Sequence, residues 1–213
     1  MLNRQLLIKS FSKSYASQPV IAIPEVTLSA GLYWIKGQNG SGKTTFFKSL
    51  AGLLPCEGTI RFEDGIDLHK HPVRYRQHVN YGEAEPDYPD FLTAKDLIRF
   101  VGKARKASMQ QQQALVADLA ITSYFEDPVG TYSSGMQKKL SLALAFLGVP
   151  RLLILDEPLI TLDESARKIL TSLLQAAVQG QTIVLISSHQ LLEDSSLRVN
   201  ATYEIRNGLL HLA

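Results

Sequence analysis

Short apolar runs separated by turn residues dominate the first third of the chain. Gln5-Leu6-Leu7-Ile8, Val20-Ile21-Ala22-Ile23 and Leu32-Tyr33-Trp34-Ile35 are of strand length and predict strands. Gly58-Thr59-Ile60-Arg61-Phe62 predicts a further strand, closed by the turn signal Glu63-Asp64-Gly65. From about Phe91 to Leu147 the pattern becomes helical. Thr93 is a cap candidate for a helix running through Phe100. Met109 to Ala120 continues the helical pattern, with Leu115, Val116 and Leu119 on an apolar side and Gln110 to Gln113 on an exposed one. Leu152-Leu153-Ile154-Leu155 and Ile183-Val184-Leu185-Ile186 are continuous apolar runs, as strands buried on both faces require. Glu164 to Val178 between them reads as a crossover helix, and Ala201 to Leu212 as a hairpin turning at Asn207-Gly208. No repeat or Pro/Gly/Ser-rich linker divides the chain. The expectation is one α/β domain over 1–213, with 1–87 and 151–213 as core and about 88–150 as a helical insertion.

Composition narrows the partners. The 213 residues are 45% hydrophobic, enough for a full core, and carry a formal net charge of only +2. No Lys/Arg block would track a phosphate backbone, so no nucleic acid is expected as partner. With one cysteine, Cys56, an intramolecular disulfide is impossible. Met1 to Phe11 carries Arg4 and Lys9 without a long apolar stretch, so no signal peptide is expected there. Leu140 to Leu155 is broken by Gly148, Pro150 and Arg151, short of the about 20 apolar residues a spanning helix needs. The chain is expected to be soluble by itself and to reach a membrane only through a partner.

The densest chemistry lies at Gly37-Gln38-Asn39-Gly40-Ser41-Gly42-Lys43-Thr44-Thr45, which fits G-x-x-x-x-G-K-[ST] between a strand-like and a helix-like stretch. The glycines let backbone N–H groups turn inward around phosphates at the positive end of the following helix. Lys43 is placed to reach the β- and γ-phosphates of a nucleoside triphosphate, and the Thr44 hydroxyl to bind Mg²⁺. A buried strand ending in Asp156-Glu157 supplies two carboxylates at the carboxyl edge of the sheet, where open α/β folds bind ligands. Asp156 is the metal candidate and Glu157 the candidate to polarise an attacking water. His189, after Ile186-Ser187-Ser188, is the candidate third edge residue, able to bond the γ-phosphate or orient the water. Ser133, Ser134 and Gly135 open another helix and offer a second anion site. Taken by themselves these residues read as an ordinary helix cap; the chain's own phosphate loop has no use for a second anion site, and that surplus suggests service to another subunit's nucleotide.

In this order the motifs resemble the nucleotide-binding subunits of ATP-binding-cassette (ABC) transporters, and the resemblance covers nearly the whole chain. Gly37 to Thr44 matches Walker A, Leu152 to Asp156 Walker B, Glu157 the catalytic glutamate, and Tyr132-Ser133-Ser134-Gly135-Met136 the signature. Leu162-Asp163 matches the D-loop and His189 the switch histidine. Tyr15 matches the aromatic that stacks on adenine, with Phe11 the alternative. The resemblance implies a P-loop NTPase core with a mixed sheet, an N-terminal antiparallel β part and an inserted helical subdomain. It further implies ATP and Mg²⁺ as cofactors and a head-to-tail homodimer or heterodimer on ATP binding. A separate transmembrane permease is the implied partner, and the inner face of the cell membrane the location. The other reading is a soluble ABC-type switch acting on a protein or nucleic-acid assembly. Two departures stand out. The signature carries Tyr132, Ser134 and Met136 where Leu, Gly and Gln are usual; the Tyr132 and Met136 variants are similar to those of small exporter-type subunits such as haem exporters. In Val79-Asn80-Tyr81-Gly82-Glu83-Ala84-Glu85-Pro86, Ala84 falls where the family carries a glutamine, so no metal role is expected of it.

Overall fold

The computed structural model describes residues 4–16, 18–188 and 197–213. Strands β1 (Gln5–Tyr15) and β2 (Gln18–Ser29) pair antiparallel from Gln5↔Ser29 to Tyr15↔Gln18, with an irregularity between Lys13 and Ser14. Both outrun the apolar stretches that predict them. Polar residues such as Ser12 and Lys13 keep their backbone groups in the ladder, which is reason enough to stay extended. After β3 (Gly31–Lys36), β4 (Glu57–Phe62) adds to the other edge of β1. The strands β5 (Val79–Gly82), β6 (Leu152–Leu155) and β7 (Ile183–Ser187) run parallel to β3. The last hairpin is β8 (Val199–Arg206) with β9 (Leu209–Leu212), turning at Asn207 and Gly208 with φ of 52° and 70°. Among the described residues the strands form one mixed sheet in the order β4-β1-β2-β9-β8-β3-β7-β6-β5.

The helices are α1 (Lys43–Leu50), α2 (Pro72–Gln77), α3 (Ala94–Ala104), α4 (Met109–Asp118), α5 (Ser134–Ala145) and α6 (Glu164–Gln179). Thr93 caps α3 in a reciprocal box with Asp96, as the sequence pattern predicts. Gly42, left-handed at φ 102°, lets α1 start at Lys43. Ser133 accepts the Met136 N–H at 3.3 Å and caps α5, which starts at Ser134. Helix α2, six residues with Pro72 at its start, is too short to announce itself by periodicity.

Strand alternation divides the core between the two faces of the sheet. Leu32, Trp34, Leu153, Leu155, Val184 and Ile186 face a cluster that takes in apolar residues of α3 to α6. Tyr33, Ile35, Leu152, Ile154, Ile183 and Leu185 face Phe46, Phe47 and Leu50 of α1 with the inner side chains of β1, β2 and β4. Arg151, which interrupts the apolar run before β6, is 9% exposed. It pairs with Glu63 at 2.7 Å and Asp64 at 2.8 Å and lies over the Phe62 ring, pinning the β4 turn to the start of β6.

Asn80 ties β5 to α5, its amide donating to Ala145 O and Leu147 O at 2.8 Å each. Both carbonyls belong to the helix end, where no intrahelical partner is available. Asn80→Ala is expected to lower unfolding free energy by about 1–3 kcal/mol. Urea titration should show an earlier midpoint with an unchanged slope; an unmoved midpoint would contradict the tie.

Candidate functional site

The phosphate loop connects β3 to α1 and is shaped by glycine. A Cβ at Gly37 would lie 2.5 Å from Ser41 Oγ and 2.9 Å from Ile205 O, and Gly42 has a φ of 102°. Gln38, Asn39, Gly40 and Thr44 are exposed, while Ser41 and Thr45 are half-buried. Lys43 is 8% exposed, and its ammonium donates to Gly37 O at 2.7 Å and Gln38 O at 3.2 Å. The charge is thus held over the loop itself, at the N-terminus of α1, where the helix dipole favours an anion.

The two carboxylates stand at the end of β6. Asp156 is 1% exposed and accepts from three hydroxyls: Thr44 Oγ1 at 2.6 Å, Ser187 Oγ at 2.6 Å and Tyr81 OH at 3.4 Å. These donors come from α1, β7 and β5, so one buried carboxylate joins four segments. Burial, then the Asp156 and Glu83 charges, push the Tyr81 phenol well above its ordinary value, keeping it a neutral donor. Ser187 Oγ also accepts the Glu157 N–H at 2.9 Å. Glu157 is 8% exposed and left-handed at φ 45°, an uncommon backbone for a non-glycine residue that accompanies functional sites.

Thr44 Oγ1 and Asp156 Oδ2 are oxygen donors held 2.6 Å apart, the chemistry that suits Mg²⁺. Among the described residues no group of three or more His, Cys, Asp and Glu could hold a metal. A cation that keeps several waters and substrate phosphates as ligands needs no such cage, so the pair fits Mg²⁺.

Ser133 and Ser134 lie exposed at the N-terminus of α5, with Gly135 half-buried behind them. The Ser133 N–H donates to Met136 Sδ at 3.5 Å, so the methionine completes the box that a glutamine side chain would otherwise close. Tyr132 is 7% exposed; its hydroxyl donates to Tyr124 O at 2.7 Å and its ring meets Tyr124 edge-on. The aromatic variant thereby anchors the start of α5 to the 3₁₀ turn at Thr122–Tyr124. Asp163 caps α6 through Ala166 N at 2.7 Å and pairs with Lys139 of α5 at 2.6 Å. The Lys139 ammonium, with Ser165 and the cap N–H behind it, holds the Asp163 carboxyl well below its usual range.

Tyr15 ends β1, 47% exposed with the Lys13 ammonium over its ring. Phe11, the other aromatic, is 1% exposed and packed edge-on against Phe46, which removes it as a base-stacking surface. Ala84 offers only its backbone: Ala84 O and Glu83 O each accept from Lys138 at 2.9 Å. Glu83 itself pairs with Lys48 of α1 at 3.6 Å. His189 lies outside the described residues.

A family model described as ABC transporter matches residues 25–160. The chain belongs to the ABC transporter family. This ABC ATPase domain is 31% identical over 188 residues to the ABC transporter ATP-binding protein NatA of Bacillus subtilis (strain 168), covering 83% of the chain and 76% of NatA. It is 29% identical over 205 residues to human ATP-binding cassette sub-family A member 2, covering 92% of the chain but only 8% of that protein. A solved structure described as the ATP binding subunit of an ABC transporter superposes with a TM-score of 0.85 at 26% identity, over 96% of this chain and 87% of that one.

Sequence reasoning did not nominate Ser187, Tyr81 or Lys138 for the site. The signal for Ser187 is register: Leu155 pairs with Ile186, which sets Ser187 beside Asp156. For Lys138 it is a lysine heading the buried stripe that continues at Leu142 and Ala145. Ser187→Ala would leave a buried carboxylate short of one donor and the Glu157 N–H without its acceptor. The variant is expected to lose about 1–3 kcal/mol of stability in denaturant titration. Turnover should fall with nucleotide affinity kept; unchanged stability and turnover would contradict the arrangement.

Proposed function

We propose that this chain is the ATP-hydrolysing subunit of an ABC transporter, working on a separate transmembrane permease, in the export direction. The observation that carries the reading is the continuous hydrogen-bonded path from Thr44 through Asp156 and Ser187 to the Glu157 N–H. It supports the reading of Thr44 as a metal-binding hydroxyl and of Glu157 as the catalytic carboxylate, since one hydrogen-bonded path joins them. Residues 1–87 and 151–213 form the catalytic core in this reading, and about 88–150, which include α3, α4 and α5, the helical subdomain.

The loop from Gly37 to Thr45 binds the ATP phosphates through its N–H groups and the Lys43 ammonium, and Tyr15 stacks on adenine. Mg²⁺ held by Thr44 and Asp156 supplies charge neutralisation on the phosphates. Glu157 orients a water and takes its proton as the oxygen attacks the γ-phosphorus, with His189 assisting. The bond to the bridging oxygen breaks, and ADP leaves with that electron pair. Ser133, Ser134 and Gly135 present the N-terminus of α5 to the nucleotide of a second copy, and Asp163 lies at the same contact. Hydrolysis then reopens the dimer and moves the permease. Among the described residues no helix is long and apolar enough to cross a membrane. Tyr132 and Met136, similar to variants of exporter subunits, support export.

Glu157→Gln is expected to reduce turnover about 100-fold or more while leaving ATP binding intact. With ATP and Mg²⁺ the variant should run as a dimer in light scattering, whereas a monomer at saturating ATP would overturn the sandwich. Native protein should co-purify with a transmembrane chain; recovery from the soluble fraction alone would favour the soluble switch.

A further inference from the structure

Lys138 has no place in the mechanism above, yet it is 2% exposed and lies directly behind the carboxylate pair. Its ammonium donates to Glu83 O at 2.9 Å, Ala84 O at 2.9 Å and Asp156 O at 3.4 Å. An ammonium has three donors, and here each meets a main-chain carbonyl. Two of these belong to the loop after β5 and the third to Asp156, the residue that follows β6. Burial pulls the lysine down to about 8, opposed by the charges of Asp156, Glu157 and Glu85. Holding a charge out of water is costly unless its partners are exact in position, and a methionine or leucine could fill the same space. The next residue, Lys139, reaches Asp163 at 2.6 Å on the other side of Glu157. Helix α5, whose first residues are proposed to meet the partner's nucleotide, is thus linked to the chain segments on both sides of Asp156 and Glu157.

At Ala84 no side chain can extend from the loop to the metal or the water, and the loop's attachment here is through main-chain carbonyls. We propose that Lys138 is a positioning residue for hydrolysis. It locks the loop at Glu83 and Ala84 to the Asp156 end of β6, so that the placement of α5 sets the aim of Glu157. The inference rests on the ATPase reading above and adds to it a route by which contact at Ser133 is felt at the carboxylates of the same chain. A lysine that served stability alone would make the fold tighter without favouring the hydrolytic step over nucleotide binding.

The test compares wild type with Lys138→Met, Lys138→Gln and Lys138→Arg, each assayed well below its own unfolding midpoint. Lys138→Met keeps the stem and loses the donors. Its kcat is expected to fall at least 10-fold with the ATP Kd within 2-fold of wild type. Lys138→Gln, which keeps two N–H donors, should lie between, and Lys138→Arg should recover more than Lys138→Met. Hydrogen exchange supplies a readout that needs no turnover. The amides of Glu83, Ala84, Glu85, Asp87, Glu157, Leu159 and Ile160 should exchange at least 10-fold faster in Lys138→Met, with those of β3 unchanged. Unchanged exchange in those segments overturns the proposal whether or not the chain hydrolyses ATP, so its failure is distinct from failure of the ATPase reading. So does a kcat equal to wild type, a Kd that weakens in step with kcat, or failure of all three variants to fold.

Discussion

A carboxylate buried to 1% exposure is stable only if donors surround it, and Asp156 meets that condition with hydroxyls from three other segments. Thr44 brings α1 and the phosphate loop, Tyr81 brings β5, and Ser187 brings β7. Neutral hydroxyls satisfy the carboxylate oxygens. Ser187 spends its remaining capacity on the Glu157 N–H, so the turn that carries the second carboxylate is set by the same group. The positions of the phosphate loop, the candidate metal donors Thr44 and Asp156 and the candidate water-orienting Glu157 are therefore set together.

That arrangement is possible because the strands at the centre of the sheet are parallel and apolar on both sides. Parallel β3, β7, β6 and β5 all end at one edge, and each delivers its next residue to that edge. The alternating side chains need two separate cores, one beneath α3 to α6 and one against α1 and the antiparallel strands. Neither core crosses the edge, which leaves polar groups free to converge there. Arg151 closes the opposite end of β6, where a paired guanidinium holds the β4 turn without entering either core.

The departures of this chain from the family pattern find local reasons. Tyr132 replaces a small apolar anchor with a ring and a hydroxyl that both engage Tyr124. Met136 closes the cap box of α5 through sulfur. Ala84 removes a side chain from the loop after β5, and the structure answers with main-chain contacts to Lys138. Each change lies where α5 is held, and α5 reaches the loop after β5, the main chain of Asp156 and the cap of α6 at Asp163.

The strands β3, β6 and β7, the hairpin at Asn207-Gly208, the cap at Thr93 and the phosphate loop were legible in the sequence because each depends on neighbours within a few residues. Periodicity, turn chemistry and glycine spacing are local properties, and the ordered motifs carried the family with them. The full lengths of β1 and β2 were not legible, since their polar halves are strand only through a ladder to a partner. Nor was short α2, nor the burial of Phe11, the alternative to Tyr15. The roles of Ser187, Tyr81 and Lys138 came only from tertiary structure. A serine, a tyrosine and a lysine are ordinary in sequence, and they become site residues when register and packing bring them to one buried aspartate. Sequence alone determined which groups could bind a triphosphate; the fold decided which neighbours hold those groups in place, because burial and hydrogen-bond satisfaction are set by segments far apart in the chain.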